Sequence, residues 1–138
     1  MSYFLEALDY RRSATIKAAI DILTPKADLF DAIAFTGMSG AVVAPILAYH
    51  LDKHLLAIRK EPCHSNSIVE HGSCPPDSRI LIVDDFISSG KTVNTMIAKL
   101  KVWSPTCIVM AAYLYKESAA NTKFVSTRVD VPIWSRKK

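Results

Sequence analysis

Cysteine is scarce in this chain: Cys63, Cys74 and Cys107 are its only three, and no two of them form a CxxC pair. That number and spacing exclude a disulfide framework and a zinc knuckle, and point to reduced thiols in a cytoplasmic protein. Long apolar runs are also missing, since no stretch approaches the ~18–20 residues of a membrane span. The opening "MSYFLEALDYRR" has no basic start followed by an apolar segment, so no secretory signal is expected. Repeats and low-complexity segments are absent. The net charge of +4 is modest and lies partly in the terminal "SRKK". Such a tail reads as a solvated basic end and gives little footing for a nucleic-acid partner. The remaining sequence is half apolar and 22% charged, a balance that supports one globular domain over residues 1–138.

The apolar residues change period along the chain. "RRSATIKAAIDIL" (11–23) has helical spacing and is closed by Pro25, because proline disfavours helix in the residue before it. "AIAF" (32–35) is a short apolar run bounded by "TGMSG" and reads as a buried strand. "AVVAPILAYHL" (41–51) has helix length, with Pro45 in its first turns. "HLLAIRK" (54–60) reads as a second strand. Residues 61–78 are polar and turn-rich without a period, as expected of a functional loop. "RILIVDD" (79–85) is the clearest strand, and a helix over "TVNTMIAKLKVW" follows it. "CIVMAAYLY" (107–115) and "TRVDVPIW" (127–134) are two further strands, and Pro132 favours an edge position for the second. Strands alternating with helices, and apolar along their length, imply an α/β fold with a parallel sheet covered on both faces. Ligands of such sheets bind at the carboxyl ends of the strands. There the chain offers "TGMSG", the 61–78 loop and "FISSGK".

Residues 77–96, "DSRILIVDDFISSGKTVNTM", carry the densest chemistry. "GKT" suggests an ATP-binding P-loop, but the position that needs the first glycine is Asp85, whose carboxylate opposes phosphate. "ILIVDD" suggests a phosphoacceptor receiver domain, but too little chain follows for its later strands. A ribose phosphate fits better. Two carboxylates at a strand end can accept hydrogen bonds from vicinal ribose hydroxyls. The following turn offers hydroxyls, backbone N–H groups and a helix N-terminus to a terminal phosphate.

Over Ile80–Thr92 the chain resembles the type I phosphoribosyltransferase family, whose signature for 5-phosphoribosyl 1-pyrophosphate (PRPP) is four apolar residues, Asp-Asp, two apolar residues and Ser-Ser-Gly-Lys-Thr. "IAFTGMSGAVVAPILAYHL" is similar to the family's first strand, pyrophosphate loop and helix, and "LLAIRKE" to its next strand. The resemblance covers about residues 31–115. It implies a single-domain, Rossmann-like parallel-sheet fold with a minimal hood, a homodimer, and Mg²⁺-dependent transfer of the 5-phosphoribosyl group to a nitrogenous base with loss of pyrophosphate. In that reading Asp84, Asp85, Ser88, Ser89, Gly90, Lys91 and Thr92 hold the ribose and 5-phosphate. Thr36, Gly37, Met38, Ser39 and Gly40 hold the pyrophosphate, in a loop where the family often has a non-proline cis peptide. Arg59, Lys60 and His64, with Asp84 and Asp85, are the catalytic set, and residues 61–78 form the flexible catalytic loop. Mg²⁺ meets Asp84 and Asp85 mainly through ligand and water.

Three residues depart from relatives within the family. Orotate-type members carry Lys and His where this chain has Cys63 and Ser65, with His64 displaced by one. Either His64 or His71 can supply the missing charge. Ser88 stands where enzymes of hypoxanthine and guanine have Asp, which favours an orotate- or adenine-like acceptor. A non-catalytic PRPP- or nucleotide-binding regulator on the same fold is the alternative. His50 and His54 have i,i+4 spacing without the Glu of HExxH, so they read as helix-end histidines. Trp103 and Trp134 read as core or interface residues.

Overall fold

Strict alternation along two central strands determines the architecture. In β1 (Ala32–Thr36), Ala32 and Ala34 face one hydrophobic cluster while Ile33 faces another. In β4 (Arg79–Asp84), Ile80 and Ile82 face the first cluster, and Leu81 and Val83 the second. A strand buried on both faces has no polar side to present, and β4 is apolar from Ile80 through Val83. The structure, a computed structural model, describes residues 3–60, 68–85, 91–116, 129 and 131–135, with side chains from residue 13 onward.

The strands form one six-stranded sheet in the order β3-β2-β1-β4-β5-β6, with β2 at His54–Ile58, β3 at Val69–Glu70, β5 at Ile108–Leu114 and β6 at Ile133–Ser135. All pairs are parallel except β2 with β3. One cluster packs under α4 (Lys91–Trp103) through Val93, Met96 and Leu100. The other packs under α1 (Tyr3–Leu23) and α3 (Ala44–Leu51) through Ala19, Leu23, Ala44 and Leu47. Ile80 pairs with Val109 but Leu81 pairs with Ala111, so Met110 is an extra residue in β5. This bulge turns the strand over, and Val109 and Ala111 therefore join opposite clusters.

Several expectations are refined. The first helix reaches back to Tyr3, and Pro25 opens a 3-10 helix over Thr24–Leu29. Residues 41–51 are not one helix: α2 (Gly37–Ala41) is a separate turn, and α3 starts at Ala44 with Pro45 at its first positions. The segment 61–78 is not wholly without structure, because β3 pairs back onto β2 through Val69 and Glu70. β6 lies at the edge, as Pro132 suggested, and among the described residues of 127–135 the strand is confined to Ile133–Ser135.

At the amino ends of β1 and β4, Asp31 accepts from the backbone N–H of Arg79 at 2.9 Å and from its guanidinium at 3.0 and 2.8 Å. The guanidinium and backbone N–H of Arg79 hold the Asp31 carboxyl at about 2. A carboxyl with a depressed folded pKa stabilises the fold above its unfolded value and loses that contribution as pH falls through the folded one. Asp31→Asn should therefore lower Tm by about 2 °C near pH 6, a small effect because the pair is half-exposed. The gap to the wild type should close between pH 4 and pH 2. A gap unchanged across that range would remove the ion pair as its cause.

Candidate functional site

The acidic pair sits where β4 ends in the middle of the sheet. The ladder with β5 continues past the last strand residue: Tyr115 N–H donates to the Asp84 carbonyl at 3.0 Å, and Lys116 N–H to that of Asp85 at 2.9 Å. This fixes the backbone of both carboxylates. Asp84 is 5% exposed, and its Oδ1 accepts from Ser39 Oγ at 3.2 Å and from Asp85 N–H at 2.9 Å. Burial, reinforced by the adjacent Asp85 charge, pushes the Asp84 carboxyl up to about 6 against the pull of those two donors. Asp85 is half-buried. A buried charge beside a like charge weakens the fold and is not needed to close the strand.

The residues that meet this pair come from the end of β1. Thr36 is extended, and its Oγ1 donates to the Ile58 carbonyl at 2.7 Å, joining the ends of β1 and β2. Gly37 follows at φ +70, a left-handed conformation that starts the single turn of α2. Gly40 is required for another reason: a Cβ there would lie 2.6 Å from the Cβ of Phe35. That close approach places Ser39 over Asp84. Tyr115, 2% exposed, then donates its hydroxyl to the Ser39 carbonyl at 2.8 Å. Burial raises the phenol above its ordinary pKa, so it remains a donor.

Beside the turn is a cleft of about 220 Å³ lined by Thr36, Ile58, Lys60, Lys91, Thr92, Thr95, Met96 and Lys99. Lys60, Lys91 and the three threonines offer donors to an anion, beside the apolar Ile58 and Met96. Lys99 Nζ donates to the carbonyls of Arg59 at 2.9 Å and Lys60 at 3.3 Å, tying α4 to the exit of β2. Arg59 N–H donates to the Ile68 carbonyl at 2.7 Å, and its Nε is 2.8 Å from Glu70 Oε2. The Arg59 side chain is thus held on β3 at the edge of the sheet.

The structure brings together Thr36, Ser39, Gly40, Asp84 and Asp85, and gathers Thr36, Lys60, Lys91 and Thr92 around the adjoining cleft. Met38 is exposed and makes no part of that contact set. His64, Ser88, Ser89 and Gly90 lie outside the described residues, as do Cys63 and Ser65. His71 does not reach this site: its ring lies 5.3 Å from that of Trp103, about 18 Å along α4 from Lys91. No cis peptide occurs among the described residues. His50 lies in α3 but His54 begins β2, so the two do not share a helix face. Burial raises the thiols of Cys74 and Cys107, which makes them poor nucleophiles. Trp103 and Trp134 pack against opposite hydrophobic clusters. Sequence reasoning missed Thr95, Lys99 and Tyr115. The first two were legible as continuations of the Lys91–Thr92 helix face; for Tyr115 the sequence gives no signal beyond its place at the end of β5.

Comparisons with known proteins agree with this geometry. Residues 31–135 match the model of a family described as "Phosphoribosyl transferase domain". A segment covering 46% of this chain is 32% identical to 42% of an adenine phosphoribosyltransferase from Burkholderia vietnamiensis. Less than half of that relative is therefore spanned. The fold is similar to that of an orotate phosphoribosyltransferase from Aeropyrum pernix, with a TM-score of 0.69 at 20% identity over 92% of this chain and 71% of the other. It is also similar to an adenine phosphoribosyltransferase from Saccharomyces cerevisiae, with a TM-score of 0.67 at 19% identity over 88% and 76% of the two chains. No described helix is long and apolar enough to cross a membrane.

Proposed function

The chain belongs to the phosphoribosyl transferase domain family, and on that premise we propose that it is a phosphoribosyltransferase that uses PRPP and an orotate- or adenine-like nitrogenous base. The observation that carries this reading is the buried Asp84, held by Ser39 of the α2 turn and set beside Asp85 at the carboxyl end of β4. A protein keeps such a carboxylate in the charged form only at a cost to stability, and a ligand whose hydroxyls donate to it offsets that cost.

In this reading the acidic pair accepts from the ribose hydroxyls. Lys91 and Thr92, with the preceding Ser88, Ser89 and Gly90, receive the 5-phosphate at the amino end of α4. The Thr36–Gly40 turn presents backbone N–H groups to the pyrophosphate, and Lys60 faces the same anion from the cleft. The C1–O bond to pyrophosphate breaks and a bond from C1 to a base nitrogen forms, with the base giving up a proton. Charge moves onto the leaving pyrophosphate, so fixed N–H dipoles and the cation Lys60 favour the transition state, joined by Arg59 once its guanidinium exchanges Glu70 for the pyrophosphate. His64 is a further candidate for that cationic role.

Mg²⁺ fits the donors present. Asp84 and Asp85 offer hard carboxylate oxygens, and no group of three or more metal-binding side chains occurs among the described residues. That set suits a cation held mainly through substrate oxygens and water. When bound, Mg²⁺ neutralises charge on the departing pyrophosphate. A homodimer and a cytoplasmic location complete the proposal.

PRPP with Mg²⁺ should raise the melting temperature by several degrees at saturating concentration, as expected for a ligand that binds only the folded state. Differential scanning fluorimetry over a PRPP titration would show it. An unchanged melting curve at millimolar PRPP and Mg²⁺ would contradict the site assignment.

A further inference from the structure

We propose that Tyr115 is a positioning residue, which holds the α2 turn in register with the acidic pair through its hydroxyl. The proposal rests on the reading above, in which turn and pair grip one substrate. Tyr115 follows β5 and contributes to neither sequence motif. Its backbone N–H donates to the Asp84 carbonyl at 3.0 Å, and its hydroxyl to the Ser39 carbonyl at 2.8 Å. Ser39 Oγ closes the ring by donating to Asp84 Oδ1 at 3.2 Å. Three chain segments that are distant in sequence, at the ends of β1, β4 and β5, are thereby linked by three hydrogen bonds.

The turn needs such a tether. α2 is five residues long and contains two glycines, too short and too permissive to hold itself as a helix. Gly37, at φ +70 with no atom within 4 Å of its would-be Cβ, gives the entry to the turn no steric support. Gly40 packs against Phe35 and fixes the far end. Ser39 lies between them, and the Tyr115 hydroxyl ties its carbonyl to the end of β5. The Tyr115 ring is buried among the residues under α1 and α3, so the phenol is anchored before it reaches the turn. Buried tyrosine hydroxyls usually take a partner, and the one that Tyr115 takes belongs to the substrate-gripping segment.

Tyr115→Phe deletes only the hydroxyl and keeps the ring. The expected result is a KM for PRPP raised about tenfold, the scale of one lost buried hydrogen bond, with kcat within about threefold. Hydrogen exchange followed by mass spectrometry on the unliganded protein should show faster exchange over residues 37–42, with β4 and α4 unchanged. A purely structural tyrosine would instead lower Tm and speed exchange through the whole sheet, and that pattern would overturn the proposal. An unchanged KM for PRPP in an active protein would overturn it too. If the wild type turns over PRPP with no base, the functional reading fails; the exchange pattern then decides the Tyr115 tether alone, and no localised change would overturn it.

Discussion

Asp84→Asn is expected to make the unliganded protein more stable and to abolish its response to PRPP. The Asp84 carboxyl is buried next to Asp85, and its folded pKa is raised to about 6. A carboxyl with a raised folded pKa stabilises the fold below its unfolded value and loses that contribution as pH climbs through the folded one. At pH 7.5 the wild type therefore bears a charge that its surroundings disfavour, at a cost on the order of 2 kcal/mol. Asparagine keeps the shape, still accepts from Ser39 Oγ and Asp85 N–H, and removes the charge. Tm should rise by about 5 °C at pH 7.5, and the gain should shrink toward pH 4. The same variant loses half of the hydroxyl-accepting pair, so added PRPP and Mg²⁺ should leave its melting curve flat. Melting temperatures of both proteins across pH 4–8, with and without PRPP, test both halves. A destabilised variant at neutral pH would show that the carboxylate is structural.

Gly40→Ala is expected to act in the opposite direction on stability while also silencing the site. The new Cβ would stand 2.6 Å from the Cβ of Phe35 and 3.1 Å from its Cδ2. A Cβ is attached to the backbone and cannot swing away, so either β1 or the turn must move. Overpacking of this kind costs about 1–3 kcal/mol, from which the better helix propensity of alanine recovers at most about 1. The turn is the softer partner, and its displacement carries Ser39 off Asp84. Tm should fall by several degrees, and the PRPP-induced rise should disappear. Gly37→Ala is the control: nothing lies near its Cβ, and only the φ of +70 opposes it, at roughly 1–2 kcal/mol. Equal melting temperatures for Gly40→Ala and the wild type would rule out the close approach that places Ser39.

The sheet was readable because burial on both faces leaves so little choice of residue. Ile33, Ile80–Val83 and Ala111–Leu114 have no polar face, and apolar runs separated by helical periods allow little except a parallel α/β sheet. The acidic pair was readable because two carboxylates at the end of such a strand break its pattern. What escaped reading depends on contacts across the fold. β3 is two residues long and exists through its pairing with β2, so no local periodicity announces it. The helical character of Gly37–Ala41 contradicts two glycines in five residues and arises from packing on β1. His71 looked available for catalysis because sequence placed it in a loop; the reversal of chain at β3 carries it away to Trp103. Tyr115 gains its role from a hydrogen bond spanning 76 positions, a distance no motif encodes.

If this site transfers the 5-phosphoribosyl group, it must release pyrophosphate from PRPP. Pyrophosphate release from PRPP should be measured with Mg²⁺ present and with adenine, orotate, hypoxanthine and guanine offered in turn. Release should depend on adenine or orotate, stay low with the 6-oxopurines, and be absent from Asp84→Asn. PRPP binding without release for any base would contradict transfer by this site, and would mark the protein as a ligand-binding regulator built on an enzyme's fold.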